Sequence, residues 1–137
     1  MKPLRPFSNL NRKLGTSPAA IVPLALYMIL IYRLSCKPAP RVAHALPDWL
    51  LHSLCYFVFF FLAQLAFQGV FYGYARFPIK MLAFSFTILY GISDEWHQSF
   101  VPPRNASVAD ILYDIGGAAA GAGVYSLYTF ANRNKEN

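Results

Sequence analysis

The chain has 137 residues, 56% of them hydrophobic, 17% aromatic and 13% charged, with a formal net charge of +6. That length would suit one soluble domain, but this composition excludes an ordinary one. The excess of positive charge does not point to nucleic acid, because the basic residues flank apolar runs and build no contiguous stripe.

Residues 1–16 are polar and basic, contain Pro3 and Pro6, and read as a disordered cytoplasmic tail. Four uncharged stretches follow, at 14–32, 49–75, 81–93 and 115–132. A membrane-crossing helix needs about 20 mostly apolar residues, in a range of roughly 17–25. The first, second and fourth stretches meet this directly. The third does so when its helix runs from Pro78 through Lys80 to Gln98, with Lys80 snorkelling to the interface. The predicted fold is therefore an all-α polytopic membrane protein, a bundle of four transmembrane helices near 17–33, 48–69, 77–98 and 108–131. These fall in one membrane domain over 17–132, and 133–137 form a second cytoplasmic tail.

Local signals refine each element. Pro18 opens the first helix, and Pro23 inside it is expected to kink it. Pro38, Pro40 and Pro47 stiffen the first outer loop, and Asp48 is the expected N-cap of the second helix. That helix is dense in phenylalanine from Phe57 to Phe67, and Gly69, Gly73 and Pro78 mark the turn that follows it. Pro102-Pro103 ends the third helix. Ser107-Val108-Ala109-Asp110 has capping-box form, which starts the fourth helix near Val108.

Charge counts orient the bundle. With the N-terminus inside, Lys2, Arg5, Arg12, Lys13, Arg76, Lys80, Arg133 and Lys135 fall on the cytoplasmic side and Arg33, Lys37, Arg41 and Arg104 outside. This bias places both termini in the cytoplasm of a multi-pass protein of the cell membrane, and it turns the 93–109 loop outward. Cys36 and Cys55 make no disulfide framework. Cys55 reads as an apolar filler; Arg33 is wrong for a lipoprotein-type site at Cys36, and with no small-x-small site and basic residues following, the first span reads as an uncleaved anchor.

Of the six acidic residues, Asp94, Glu95, Asp110 and Asp114 lie between positions 94 and 114. Carboxylates at the edge of a hydrocarbon layer are costly, and a cluster of them calls for a function. Asp110, Asp114, Gly117 and Gly121 follow helical spacing and share one stripe, with the glycines marking the face that packs on neighbours. Both aspartates should then point into the bundle. Asp94 and Gln98 are four apart, Glu95 and Gln98 three apart, and His52 and Tyr56 share a face of the second helix. All of them sit at one membrane level. The expected result is an outward-facing pocket of His52, Tyr56, Asp94, Glu95, Gln98, Arg104, Asp110 and Asp114. Taken singly, Asp110 is better read as a cap, Arg104 as a structural counter-charge and His52 as a hydrogen-bonded bundle residue. His97 reads as a solvated loop residue, and Trp96 and Phe100 as interfacial anchors. The set as a whole is better read as functional, with Glu95 first.

Asp94-Glu95-x-x-Gln98-x-x-x-Pro102-x-Arg104, then Asp110, Asp114 and Gly117, resembles the signature of the VanZ-like family of small bacterial membrane proteins. Asp48-x-x-x-His52-x-x-x-Tyr56 is similar to that family's other motif. Together they cover residues 48–121 in the family's order. Trp49, Pro103 and Asp114 stand where the family usually has lysine, glycine and asparagine, and Asp114 adds a negative charge to the pocket. The resemblance implies a link to glycopeptide (teicoplanin) resistance.

Three activities suit these residues. The first is binding of a polar or phosphate-bearing envelope component, lipid-linked, with Arg104 for the phosphate and the carboxylates holding Mg²⁺ or Ca²⁺. The second is hydrolysis or transfer of a lipid head group with His52 or Glu95 as base. The third is proton- or cation-coupled transport through Asp114 and His52. No nucleic-acid partner is expected, and the oligomeric state is not encoded in any motif.

Overall fold

The computed structural model describes residues 18–37, 46–71 and 75–133. The predicted basic tails, the prolines of 38–45 and Gly73 lie outside these residues. These residues form four helices: α1 (Ile21–Ser35), entered through a 3₁₀ turn at Pro18–Ala20, α2 (Asp48–Val70), α3 (Arg76–Gln98) and α4 (Val108–Arg133). There is no strand among the described residues. The four helices fall where the four apolar stretches were read, and they run up and down in an antiparallel bundle centred on α2.

Two helix starts differ from expectation. Pro23 does not interrupt α1, because it lies in the first turn, where a missing N–H removes no intrahelical bond. Asp48 is not the N-cap of α2. Pro47 takes that place in an extended conformation, and its carbonyl accepts the N–H groups of Leu50 and Leu51. Asp48 instead sits in the first turn, where its charge complements the helix dipole.

The core is aromatic, as the phenylalanine run requires. Phe59 is fully buried, and its ring meets those of Tyr27, Tyr56, Phe86 and Tyr90 from α1, α2 and α3, at centroid separations of 6.1, 5.8, 5.9 and 4.9 Å. Such offset and edge-on pairs add to the burial of the rings themselves. Two hydroxyls tie α1 into this core: Tyr27 donates to the Cys55 carbonyl at 3.0 Å, and Tyr90 to that of Met28 at 2.7 Å.

The α2–α4 contact is closer. A Cβ placed on Gly117 would overlap the Ser53 carbonyl oxygen and lie 2.8 Å from Ser53 Cα. One placed on Gly121 would lie 3.0 Å from the Phe60 ring. Glycine is thus required where the two backbones meet, as the small-residue spacing predicts. Gly116 and Gly123 have nothing within 4 Å of such a Cβ.

The surface is apolar and the interior partly polar. Leu26, Ile29, Leu54, Phe77, Leu89, Leu112 and Leu127 are exposed, while Gln64, Thr87, Asp94, Glu95, Gln98 and Asp114 are buried. By length and composition, α2 is the one helix among the described residues able to cross a membrane; α1 is apolar but has 15 residues. Charges at Arg76 and Lys80 dilute α3, and glycine, alanine and hydroxyl residues dilute α4. Lys80 makes a defined contact at this end of the bundle. Its ammonium donates to Ser126 Oγ at 2.9 Å, within reach because the residues before it on α4 are small. Beside that bond, Gln68 donates to the Tyr125 hydroxyl and closes the same end of the bundle.

Gly117→Leu should destabilise the protein by about 3 kcal/mol or more, because overpacking here moves two backbones. Gly116→Ala should be neutral or stabilising by about 0.5–1 kcal/mol, from helix propensity alone. Thermal unfolding of both variants in detergent micelles checks the contrast.

Candidate functional site

The antiparallel arrangement brings the start of α2, the end of α3 and the start of α4 to one end of the bundle. His52 lies one turn into α2 and faces α4. Its Nδ1 is 2.9 Å from Asp114 Oδ1, and its Nε2 is 3.9 Å from Asp110 Oδ2. The Asp110–Asp114 spacing of one turn lets both carboxylates meet a single imidazole. Asp114 is buried, whereas the side chains of His52 and Asp110 are 17% and 20% exposed, so the group opens toward the bundle end.

Glu95 enters from α3. It is 2% exposed, and its Oε2 accepts the Ser107 N–H at 3.0 Å across the α3–α4 loop. The capping box is therefore shared between segments. Ser107 Oγ accepts the Ala109 N–H at 3.2 Å, one residue before the Asp110 N–H that the motif predicts, and Glu95 fills the reciprocal place that Asp110 would take. Asp110 is left to face His52. The loop is wound from successive turns, with N–H to carbonyl bonds from Val101 to Gln98 and from Arg104 to Val101.

Asp94 is held apart from this group. Its Oδ2 accepts Ser35 Oγ–H and the Gln98 amide, each at 2.8 Å, so it belongs to an α1–α3 contact. Gln98 serves Asp94 and not Glu95. Arg104 is half-buried in the loop, and among the described residues no carboxylate pairs with its guanidinium. Tyr56 is buried below His52, and its hydroxyl has no partner among the described residues. Gly117 and Gly121 pack α4 on α2 below the carboxylates. Of the eight expected pocket residues, then, His52, Glu95, Asp110 and Asp114 form one group and Asp94 with Gln98 another, while Tyr56 and Arg104 flank them.

Several contributors were not singled out in the sequence. Ser35 is buried and orients Asp94, a role that needs the α1–α3 packing to be known. Gly91 lies one turn before Glu95 on α3, and a Cβ there would be 2.9 Å from Asp114 Oδ2 and 3.0 Å from the Tyr56 ring. A small residue one turn before a carboxylate was the available signal. His97 is not a solvated loop residue: it ends α3, its ring lies 4.9 Å from that of Tyr32, and its Nε2 is 3.4 Å from Cys36 Sγ. Beside it, Tyr32, Tyr90, Asp94, Trp96, His97 and Phe100 line a cavity of about 430 Å³.

The electrostatic arrangement is unbalanced. Asp94 has two donors, but Glu95, Asp110 and Asp114 share one imidazole and one backbone N–H. Glu95 Oε1 and Asp114 Oδ2 are buried with no hydrogen-bond partner among the described residues. Buried acceptors without donors are expensive, and in native proteins they mark places where something else binds or reacts.

A family model, VanZ/LLP1, matches residues 4–129. The chain belongs to the VanZ/LLP1 family. No curated protein and no solved structure matches it. The match extends beyond the two motifs, over α1 and nearly all of α4, so the Ser35–Asp94 contact lies within the VanZ/LLP1 region.

Within that region, Ser35→Ala should cost about 1–2 kcal/mol, because it leaves the buried Asp94 carboxylate short of a donor. Ser93→Ala removes an exposed hydroxyl bonded to its own helix and should stay within about 0.5 kcal/mol. Chemical or thermal unfolding of the two variants measures the difference.

Proposed function

We propose that this VanZ/LLP1 protein is a multi-pass protein of the cell membrane that binds a polar or phosphate-bearing component of the cell envelope, lipid-linked, at an outward-facing site. The observation that carries this reading is the pair of buried, unpartnered carboxylate oxygens, Glu95 Oε1 and Asp114 Oδ2, at one end of a bundle with an apolar exterior. Ionisable side chains inside an apolar bundle are rare and mark ligand or ion paths. Exposed leucine, isoleucine and phenylalanine on all four helices support burial of the whole bundle in lipid, beyond the one helix whose composition suffices by itself. Both termini then lie in the cytoplasm, by the distribution of lysine and arginine.

Two features suit an amphipathic ligand. No carboxylate among the described residues pairs with the half-buried Arg104, which offers a planar, two-pronged donor for a phosphate. The aromatic cavity between α1 and α3 adjoins Asp94 and offers apolar walls for the lipid portion. Family membership links the chain to glycopeptide resistance, and sequestering or masking an envelope component is the form of that link this site supports.

An enzyme is the second reading, and the His52–Asp114 bond favours it. A carboxylate that fixes one ring nitrogen leaves the other aimed at Asp110 and the opening, as a general base requires.

Glu95→Gln, Asp110→Asn and Arg104→Gln, each returned to a deletion strain, test the proposal. All three should insert in the membrane at normal levels, and Glu95→Gln and Arg104→Gln should fail to restore the deletion's envelope or glycopeptide phenotype. Full complementation by all three contradicts a ligand site. Cysteine labelling with an impermeant reagent tests the orientation separately: a cysteine in the 99–107 loop should react in intact cells.

A further inference from the structure

Each of three helices delivers one metal-ligating side chain to the same place. His52 comes from α2, Glu95 from α3 and Asp110 from α4, and one ligand atom from each lies within 4.8 Å of the others. Asp114 fixes the imidazole by holding Nδ1 at 2.9 Å, which leaves Nε2 directed to the group. A carboxylate behind a ligating histidine is the usual outer support of a metal site, since it sets the tautomer and the ring orientation. Independently, Glu95 is 2% exposed and its Oε1 has no partner among the described residues.

We propose that His52, Glu95 and Asp110 bind one divalent transition-metal ion of the zinc type, with Asp114 orienting the imidazole. This deepens the ligand-site reading and rests on it for the bundle end at which the ion would meet a ligand. The donor set decides the class of ion. Mg²⁺ and Ca²⁺ prefer six or more oxygen ligands, whereas an imidazole with two carboxylates suits a borderline ion such as Zn²⁺. Zinc bonds of roughly 2.0–2.2 Å place tetrahedral ligands about 3.3–3.5 Å apart, so the widest separation has to close by about 1–1.5 Å. Rotation of the partly exposed Asp110 side chain, with a small shift of the imidazole about its Asp114 bond, supplies that.

Charge argues in the same direction. Glu95, Asp110 and Asp114 face one histidine, and among the described residues no lysine or arginine pairs with them. A divalent cation supplies the missing positive charge and a partner for Glu95 Oε1. Three protein ligands leave a fourth position open, as in sites that take water or substrate. That position is where a phosphate oxygen of an envelope ligand would bind, with Arg104 close in sequence to Ser107 and the start of α4.

The test uses the full chain purified in detergent, stripped with a chelator, desalted and exposed to Zn²⁺ alone, then to Co²⁺ as a spectroscopic probe. The expected result is one tightly held zinc per chain, Co²⁺ absorption that Zn²⁺ displaces, and a higher unfolding temperature with metal, because the ion joins three helices. Glu95→Gln and Asp110→Asn should each abolish stoichiometric binding, and Asp114→Asn should weaken it by roughly 10–100-fold. The Cys36→Ser/His97→Gln double variant should bind zinc as the parent does, although that pair lies 3.4 Å apart and is itself attractive to zinc. If Glu95→Gln does not fold, Asp110→Asn decides. The proposal is overturned if no zinc is retained, if only Mg²⁺ binds, if both carboxylate variants keep the metal, or if the double variant loses it. A protein without zinc whose Glu95→Gln variant still fails complementation overturns the metal and leaves the ligand reading standing.

Discussion

Where α4 crosses α2, the Cα of Gly117 rests against the main chain of Ser53, with no room for a side chain between them. One residue before Ser53 is His52, and one turn before Gly117 is Asp114. The distance between those two side chains is therefore set by how closely the backbones approach. A bond of 2.9 Å from imidazole to carboxylate exists because glycine permits that approach. Ser53 adds a hydroxyl bond to the Tyr113 carbonyl at the same crossing. Packing and site are one feature here, since a residue that separates the helices also dismantles the polar group.

The same crossing explains why the polar group can persist. Three carboxylates with one histidine would not hold together on a flexible scaffold, because like charges and lost hydration drive them apart. In this bundle Phe59, Phe60 and Ala63 fill the space below them, and the loop wound from Gln98 to Ser107 closes α3 to α4 above. Glu95 helps to make its own surroundings, because it accepts the N–H of the residue that starts α4. The carboxylate that terminates the helix connection is also the one whose second oxygen is left free. Fold and the proposed ligand site are coupled through that one side chain.

Much of this was legible in the sequence, for reasons of period and punctuation. Apolar runs bounded by charge mark four helices, and Ser107 before Val108 marks the start of α4. The spacing of Asp110, Asp114, Gly117 and Gly121 predicts a single face, and that face meets α2. The failures are those of tertiary contact. Spacing along α3 suggests that Asp94, Glu95 and Gln98 act together, but α1 captures Asp94 through Ser35, and no pattern in α1 announces that. Asp110 matches a capping box, yet Glu95, distant in sequence, fills the role. Arg104 follows the acidic motif closely in sequence, yet among the described residues it pairs with none of the carboxylates, which spacing alone does not reveal.

The central claim is that His52 reaches across from α2 to a buried carboxylate of α4. With three histidines in the chain, and with His52 and Asp114 resolvable by single substitutions, a ¹⁵N–¹³C dipolar distance in lipid bilayers measures this contact directly. The account predicts strong coupling between His52 Nδ1 and the Asp114 carboxyl carbon, consistent with a nitrogen–oxygen contact of 2.9 Å. It also predicts that this coupling is lost in Asp114→Ala or His52→Gln and kept when His97 is replaced. A His52 ring with no coupling to any aspartate would contradict the convergence of α2 and α4 on one site.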